Sequence, residues 1–233
     1  MKKWFLVILV TMFLAPVSVR ADVSFLLLES LGVPGEFTGS GHAAIYLSNI
    51  CTDDGISLRP CRKTESGVVI SSYPNFVNGS AYEWMAVPLV PFLYGVDDQS
   101  KVPIYANGEI RSFLREEYRR EYLNTVVPAA PDGKMPGGKW QIMLGTAFNR
   151  DIYGFTVKTT PEEDIKFLQE SNSKPNSGEF GTFNNNCADF ARKTINRYFP
   201  GAARRDWLND FGITTPKAIA RSFFNYAKDR PER

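Results

Sequence analysis

Asn184-Asn185-Asn186-Cys187-Ala188-Asp189-Phe190-Ala191-Arg192 reads as the start of a helix with a thiol in its first turn. Asn186 or Asn185 can cap it, because an asparagine carbonyl accepts from the free N–H groups of a first turn. Those N–H groups and the helix dipole favour an anion there, so the spacing predicts a lowered pKa for Cys187. Ala188 and Ala191 are small enough to let the helix approach a sheet, and Phe190, Ile195 and Tyr198 supply packing. A thiol becomes a nucleophile at neutral pH with the help of a base, usually imidazole. The chain has one histidine, His42, in Gly41-His42-Ala43-Ala44-Ile45-Tyr46-Leu47, which reads as a strand entered from a glycine-rich loop. One Cys–His pair is therefore all that a cysteine hydrolase could use, the other two cysteines being committed as follows.

Residues 1–21 read as an export signal: Lys2 and Lys3, an apolar run from Trp4 to Pro16, and Val19-Arg20-Ala21 as a small-residue cleavage site. The rival reading, an uncleaved anchor, asks for roughly 20 apolar residues, more than the run provides. The expectation is a periplasmic or secreted protein with no stable membrane span after cleavage, residues 22–233 forming a single domain. In an oxidising space Cys51 and Cys61, ten residues apart in a loop rich in Asp, Gly and Pro, are expected to pair, worth about 2–3 kcal/mol for so small a ring. Cys187 is left over: reactive, paired with another molecule, or buried as a structural thiol. A net charge of +2 gives no reason to expect nucleic acid as a partner. One histidine and one uncommitted cysteine make a metal site improbable, and no cofactor is expected.

Outward from the two motifs, residues 23–31 read as a buried strand or short helix, 42–48, 67–73 and 81–88 as strands, and 139–146 with 153–158 as a strand pair. A helix is expected over 109–124, with Ile110, Phe113, Leu114, Tyr118 and Tyr122 on one face. Thr160-Pro161-Glu162-Glu163 is a capping box starting another, and Thr215-Pro216 opens a last helix with Ile219, Phe223 and Tyr226 together. The segregation of strands and helices predicts α+β with an antiparallel sheet. Since Cys51 lies nine residues beyond His42, roughly 30 Å if extended, the disulfide loop belongs at the far end of the hairpin from His42.

The Gly-His-Ala-Ala-Ile-Tyr-Leu strand followed much later by Asn-Asn-Cys-Ala-Asp-Phe-Ala resembles the papain-like NlpC-type superfamily in its circularly permuted form, as in YiiX/YaeF-like amidases and lecithin:retinol acyltransferase-like proteins. The resemblance covers roughly residues 38–73 and 180–200. It implies a papain-like fold with Cys187 as nucleophile and His42 as general base. A third polar residue on the strand after the histidine falls at Ser71, where the family carries His, Asn, Gln or Glu. A hydroxyl orients imidazole weakly, so Tyr73 or Glu83 could serve instead. Cys187 N–H and an asparagine amide (Asn185 or Asn186) would hold the oxyanion, with Gly41 and Tyr73 lining the site. The implied reaction is cleavage of an amide through a thioester, with a peptidoglycan peptide or similar acyl-amide as substrate. A lipid amidase or acyltransferase on the same fold, and a non-catalytic binding module, are the other readings. An exported structural protein whose motifs match by accident is a further one.

Overall fold

The computed structural model describes residues 21–31, 41–77, 82–181, 183–206, 210 and 212–230. The expected signal segment, apart from Ala21, lies outside them, as does most of the glycine-rich loop before His42. Among the described residues no helix is long and apolar enough to cross a membrane.

Seven strands form among the described residues: β1 (Ala21–Leu28), β2 (His42–Leu47), β3 (Ile50–Cys51), β4 (Arg59–Pro60), β5 (Val68–Ser71), β6 (Met85–Pro88) and β7 (Ile152–Thr159). Five of them make one antiparallel sheet in the order β6-β5-β2-β1-β7, and β3 and β4 pair separately. The helices are α1 (Leu89–Tyr94), α2 (Gly108–Tyr118), α3 (Pro161–Asn172), α4 (Cys187–Tyr198) and α5 (Pro216–Lys228). The fold is thus α+β on an antiparallel sheet, as the sequence predicts.

Alternation along the strands makes two cores, because successive side chains point to opposite faces. Val23, Phe25, Ala43, Ile45 and Leu47 meet α3, α4 and α5 on one face. Leu26, Leu28, Ala44, Val69 and Val87 meet Phe92, Tyr118 and Trp140 on the other. Phe92 is fully buried and belongs to this second core. The strand β1 is buried on both faces, which is why its sequence carries an almost unbroken apolar run. Ala21, where the expected signal ends, is the first residue of β1 and is paired with Thr159.

Three expected elements differ. Residues 139–143 form a 3₁₀ turn, not a strand: Trp140 and Met143, three apart, are both buried, and Trp140 N–H donates to Phe76 O at 3.0 Å. The partner of β7 is β1. The strand expected over 81–88 begins only at Met85, because the backbone N–H and C=O of Trp84 are taken by the Asn176 side chain, at 3.2 and 2.9 Å. The helix expected over 109–124 is α-helical only to Tyr118 and continues as a π turn over Arg119–Leu123. There Arg119 turns inward, donating to Val127 O at 2.9 Å and to Glu116, and Phe113 and Tyr122 of the expected apolar stripe are exposed.

The disulfide joins Cys51 and Cys61 across β3 and β4, at the opposite end of β2 from His42. Among the described residues, Cys51, Cys61 and Glu65 bring potential ligand atoms together, and the two sulfurs are bonded to each other.

The first turn of α3 holds Asp164, which is buried. One carboxylate oxygen accepts from Thr159 Oγ1 at 3.5 Å and the other has no hydrogen-bond partner. Burial pushes its pKa up to about 6. A raised carboxyl binds its proton more tightly folded than unfolded, so its contribution to stability is complete below about pH 4 and lost as pH rises through about 6. Asp164→Asn is therefore expected to stabilise the fold at pH 7.5 by about 1–2 kcal/mol, allowing for solvent screening, and to change little at pH 4. Urea unfolding at the two pH values checks this; equal effects at both would remove the carboxyl as the cause.

Candidate active site

Asn186 is the N-cap of α4: its side-chain oxygen accepts from Ala188 N–H at 2.9 Å and Asp189 N–H at 3.0 Å. Cys187 is accordingly the first helical residue, and it keeps partial access to solvent. Three peptide N–H groups, of Ala43, Ala188 and Cys187 itself, act on the sulfur and favour the thiolate. Burial acts the other way and is larger, so the thiol is pushed up to about 11. The lowered pKa expected from the helix start is corrected: the dipole is present, but the cost of placing a charge among Ala43, Ala188 and the neighbouring apolar side chains exceeds it.

His42 opens β2. Gly41, just before it, adopts φ +84°, and a Cβ there would stand 2.2 Å from Leu28 O. Only glycine lets the chain turn under that carbonyl and place His42 opposite Leu28. The imidazole is buried. Its Nε2 lies 2.5 Å from Ser71 Oγ, and its ring stacks on Tyr73, centroids 3.8 Å apart. Ser71, the last residue of β5, follows Ile70, the register partner of Ile45, and so reaches His42 diagonally from the neighbouring strand. With Nε2 engaged, Nδ1 is the ring nitrogen free to exchange a proton. Burial first, and the Arg150 charge second, hold the imidazole pKa well below its usual value.

Cys187 packs with the face of Ala43, whereas Tyr73, on which His42 stacks, belongs to the face of Ala44. Thiol and imidazole thus approach the start of β2 from its two faces, the Ala43 N–H acting on the thiol and His42 being the residue before it, and no hydrogen bond joins them. With the thiol raised and the imidazole lowered, the resting pair at pH 7 is neutral on both sides.

Arg150 completes the cluster, and sequence reasoning missed it. Its Nη2 donates to Tyr73 Oη at 3.0 Å and its Nη1 to Glu29 O at 3.4 Å. Its charge favours both the neutral imidazole and the thiolate. Burial raises the Tyr73 phenol to about 12, against the pull of Arg150, so Tyr73 stays protonated at neutral pH. Each of the two asparagines expected as oxyanion donors gives an amide N–H to a carbonyl outside the Cys187–His42 cluster. Asn186 Nδ2 donates to Thr214 O at 3.0 Å, and Asn185 Nδ2 to Glu179 O at 2.7 Å. Glu83 does not join the His42 cluster; it lines a cavity that begins at Tyr73.

Comparison with family models, with curated proteins and with solved structures finds no match to this chain.

Proposed function

We propose that this chain is an exported cysteine hydrolase that opens an amide or ester carbonyl through Cys187 and His42. The observation that carries the reading is the conjunction of a partly accessible thiol at the first residue of a capped helix with a buried imidazole already bonded to Ser71. The resemblance to the permuted papain-like superfamily points the same way, with a peptide or acyl-amide, including cell-wall peptides, as the substrate class and a periplasmic or secreted location.

The step begins from the neutral pair. Cys187 sulfur attacks the carbonyl carbon as its proton passes to His42, so that neither ion is formed alone in a buried site. The tetrahedral oxyanion forms beside the Cys187 N–H. His42 returns the proton to the departing nitrogen or oxygen, the C–N or C–O bond breaks and a thioester remains. Water, deprotonated by His42, then releases the acid and restores the thiol. Ser71 accepts from Nε2–H, which fixes the tautomer with Nδ1 unprotonated, and Arg150 disfavours premature protonation.

The test is acylation by p-nitrophenyl acetate, quenched in acid and mapped by mass spectrometry. The expected result is an acetyl group on Cys187 with an early burst of p-nitrophenol, both absent in Cys187→Ser. Ser71→Ala is expected to slow turnover about three- to tenfold, the worth of one neutral hydrogen bond, leaving the acylated residue unchanged. The absence of a direct hydrogen bond between thiol and imidazole, with the thiol raised to about 11, favours the second reading, a binding module that performs no chemistry. No acyl group on Cys187 would decide for it.

A further inference from the structure

A cavity of about 670 Å3 opens beside the candidate active site. One of its walls is Tyr73, whose ring stacks on His42, so a molecule filling it abuts the residue that backs the imidazole. The Asn176 side chain braces the cavity from outside its lining: its two bonds to the Trp84 backbone hold residues 177–180 beside residues 82 and 83. Tyr82 and Phe180 are the other aromatic walls. Among the described residues, the only charged side chains lining the cavity are two carboxylates, Glu83 and Glu179.

Neither carboxylate has a cationic partner among the described residues. Glu83 is half-buried, and Gly178 lies so close that a Cβ there would come within 3.0 Å of the Glu83 carboxyl carbon. Arg150, the cation on the other side of Tyr73, is bonded to Tyr73 Oη and Glu29 O and does not line the cavity. Two carboxylates without a cationic partner, Glu83 half-buried and Glu179 exposed, stand beside aromatic rings and give the cavity a negative wall, which attracts a cation both by charge and through the ring faces. The volume is that of a small-molecule pocket.

We propose that this cavity seats an alkylammonium group of the substrate, between Glu83 and Glu179, while the scissile carbonyl reaches Cys187. Calling its occupant the substrate rests on the hydrolase reading; the binding itself is measurable without turnover.

The experiment is calorimetric titration of full-length Cys187→Ser protein at low ionic strength with three probes: Nα-acetyl-lysine amide, Nα-acetyl-norleucine amide and Nα-acetyl-glutamate amide. Expected are binding of the lysine probe at least tenfold tighter than of the norleucine probe, and the glutamate probe weakest. In Glu83→Gln/Glu179→Gln the lysine preference falls to near unity, and Gly178→Ala, which displaces the Glu83 carboxylate, weakens it. No lysine binding, equal affinity for lysine and norleucine, or a preference that survives the double substitution would overturn the proposal. The three probes alone decide it if a variant fails to fold. A lysine preference without acylation of Cys187 keeps the cation site and removes the hydrolase; acylation without the preference does the reverse.

Discussion

His42→Ala is expected to lower acyl turnover by about two to four orders of magnitude, the contribution of a positioned acid–base group, with the Cys187 acyl group still detectable after long incubation. The pH profile separates this role from a structural one. His42 is held well below its usual pKa by burial and by Arg150, so it is neutral throughout the neutral range. Wild-type turnover should therefore not fall between pH 8 and pH 6, where an ordinary imidazole would protonate, and should fall only at lower pH. On the alkaline side it should stay level, because the thiol of the neutral pair ionises only toward about 11. Arg150→Met removes the charge that opposes protonation and should move the acid limb to higher pH, while raising the thiol further. A wild-type profile with an acid limb near pH 6.5 would mean that burial does not control the pair.

The same reasoning sets the outcome of simple alkylation. A thiol near 11 is about 10⁻⁴ ionised at pH 7, so iodoacetamide should label Cys187 more slowly than an ordinary thiol near 8.5, with the rate climbing roughly tenfold per pH unit. Slow labelling at neutral pH is then expected of enzyme and binding module alike, which is why acyl trapping is the decisive measurement. Rapid labelling below pH 7 would instead reveal a thiolate–imidazolium pair.

The parts of this site written in consecutive residues are legible in the sequence itself. The cap at Asn186, the helix from Cys187, the strand from His42 and the capping box at Thr160 each depend on neighbours a few positions away. Ser71 is also within reach of sequence reasoning, since an antiparallel hairpin places it near His42 once the two strands are assigned. Arg150 is not. It enters because β7 pairs with β1, aligning Ile152 with Leu28 and hence with His42, while Glu29 N–H bonds Asp151 O. That register is a long-range property, and reading residues 139–146 as the partner of β7 hides it. The Cys187 pKa departs from expectation for a related reason. The dipole is visible in the helix sequence, but the desolvation that outweighs it comes from residues about 140 positions away in β2.

Asp189→Ala is expected to cost about 3 kcal/mol of stability at pH 7, the low end for breaking a buried ion pair because Arg205 is partly exposed. Asp189 lies two residues after Cys187 and is fully buried. Its Oδ1 accepts from Thr214 Oγ1 and Arg205 Nη2, each at 2.7 Å, with Arg192 close by at 3.5 Å. Burial pushes the carboxyl up, but Thr214 and Arg205 together outweigh it and leave the pKa below its usual value. A lowered carboxyl contributes stability that is present above the unfolded pKa, about 4, and lost as pH falls through the folded one. The difference between wild type and Asp189→Ala in urea should therefore be full at pH 7 and shrink below pH 4; Asp189→Asn, which keeps the Thr214 contact, should fall between them. Because the Asn186 side chain is bonded to Thr214 O, the carboxylate and the cap hold the start of α4 to the same residue. Any Asp189→Ala protein that folds should thus lose acylation as well as stability, by freeing the turn that aims Cys187. Loss of stability with acylation unchanged would show that the Asn186 cap positions the thiol by itself.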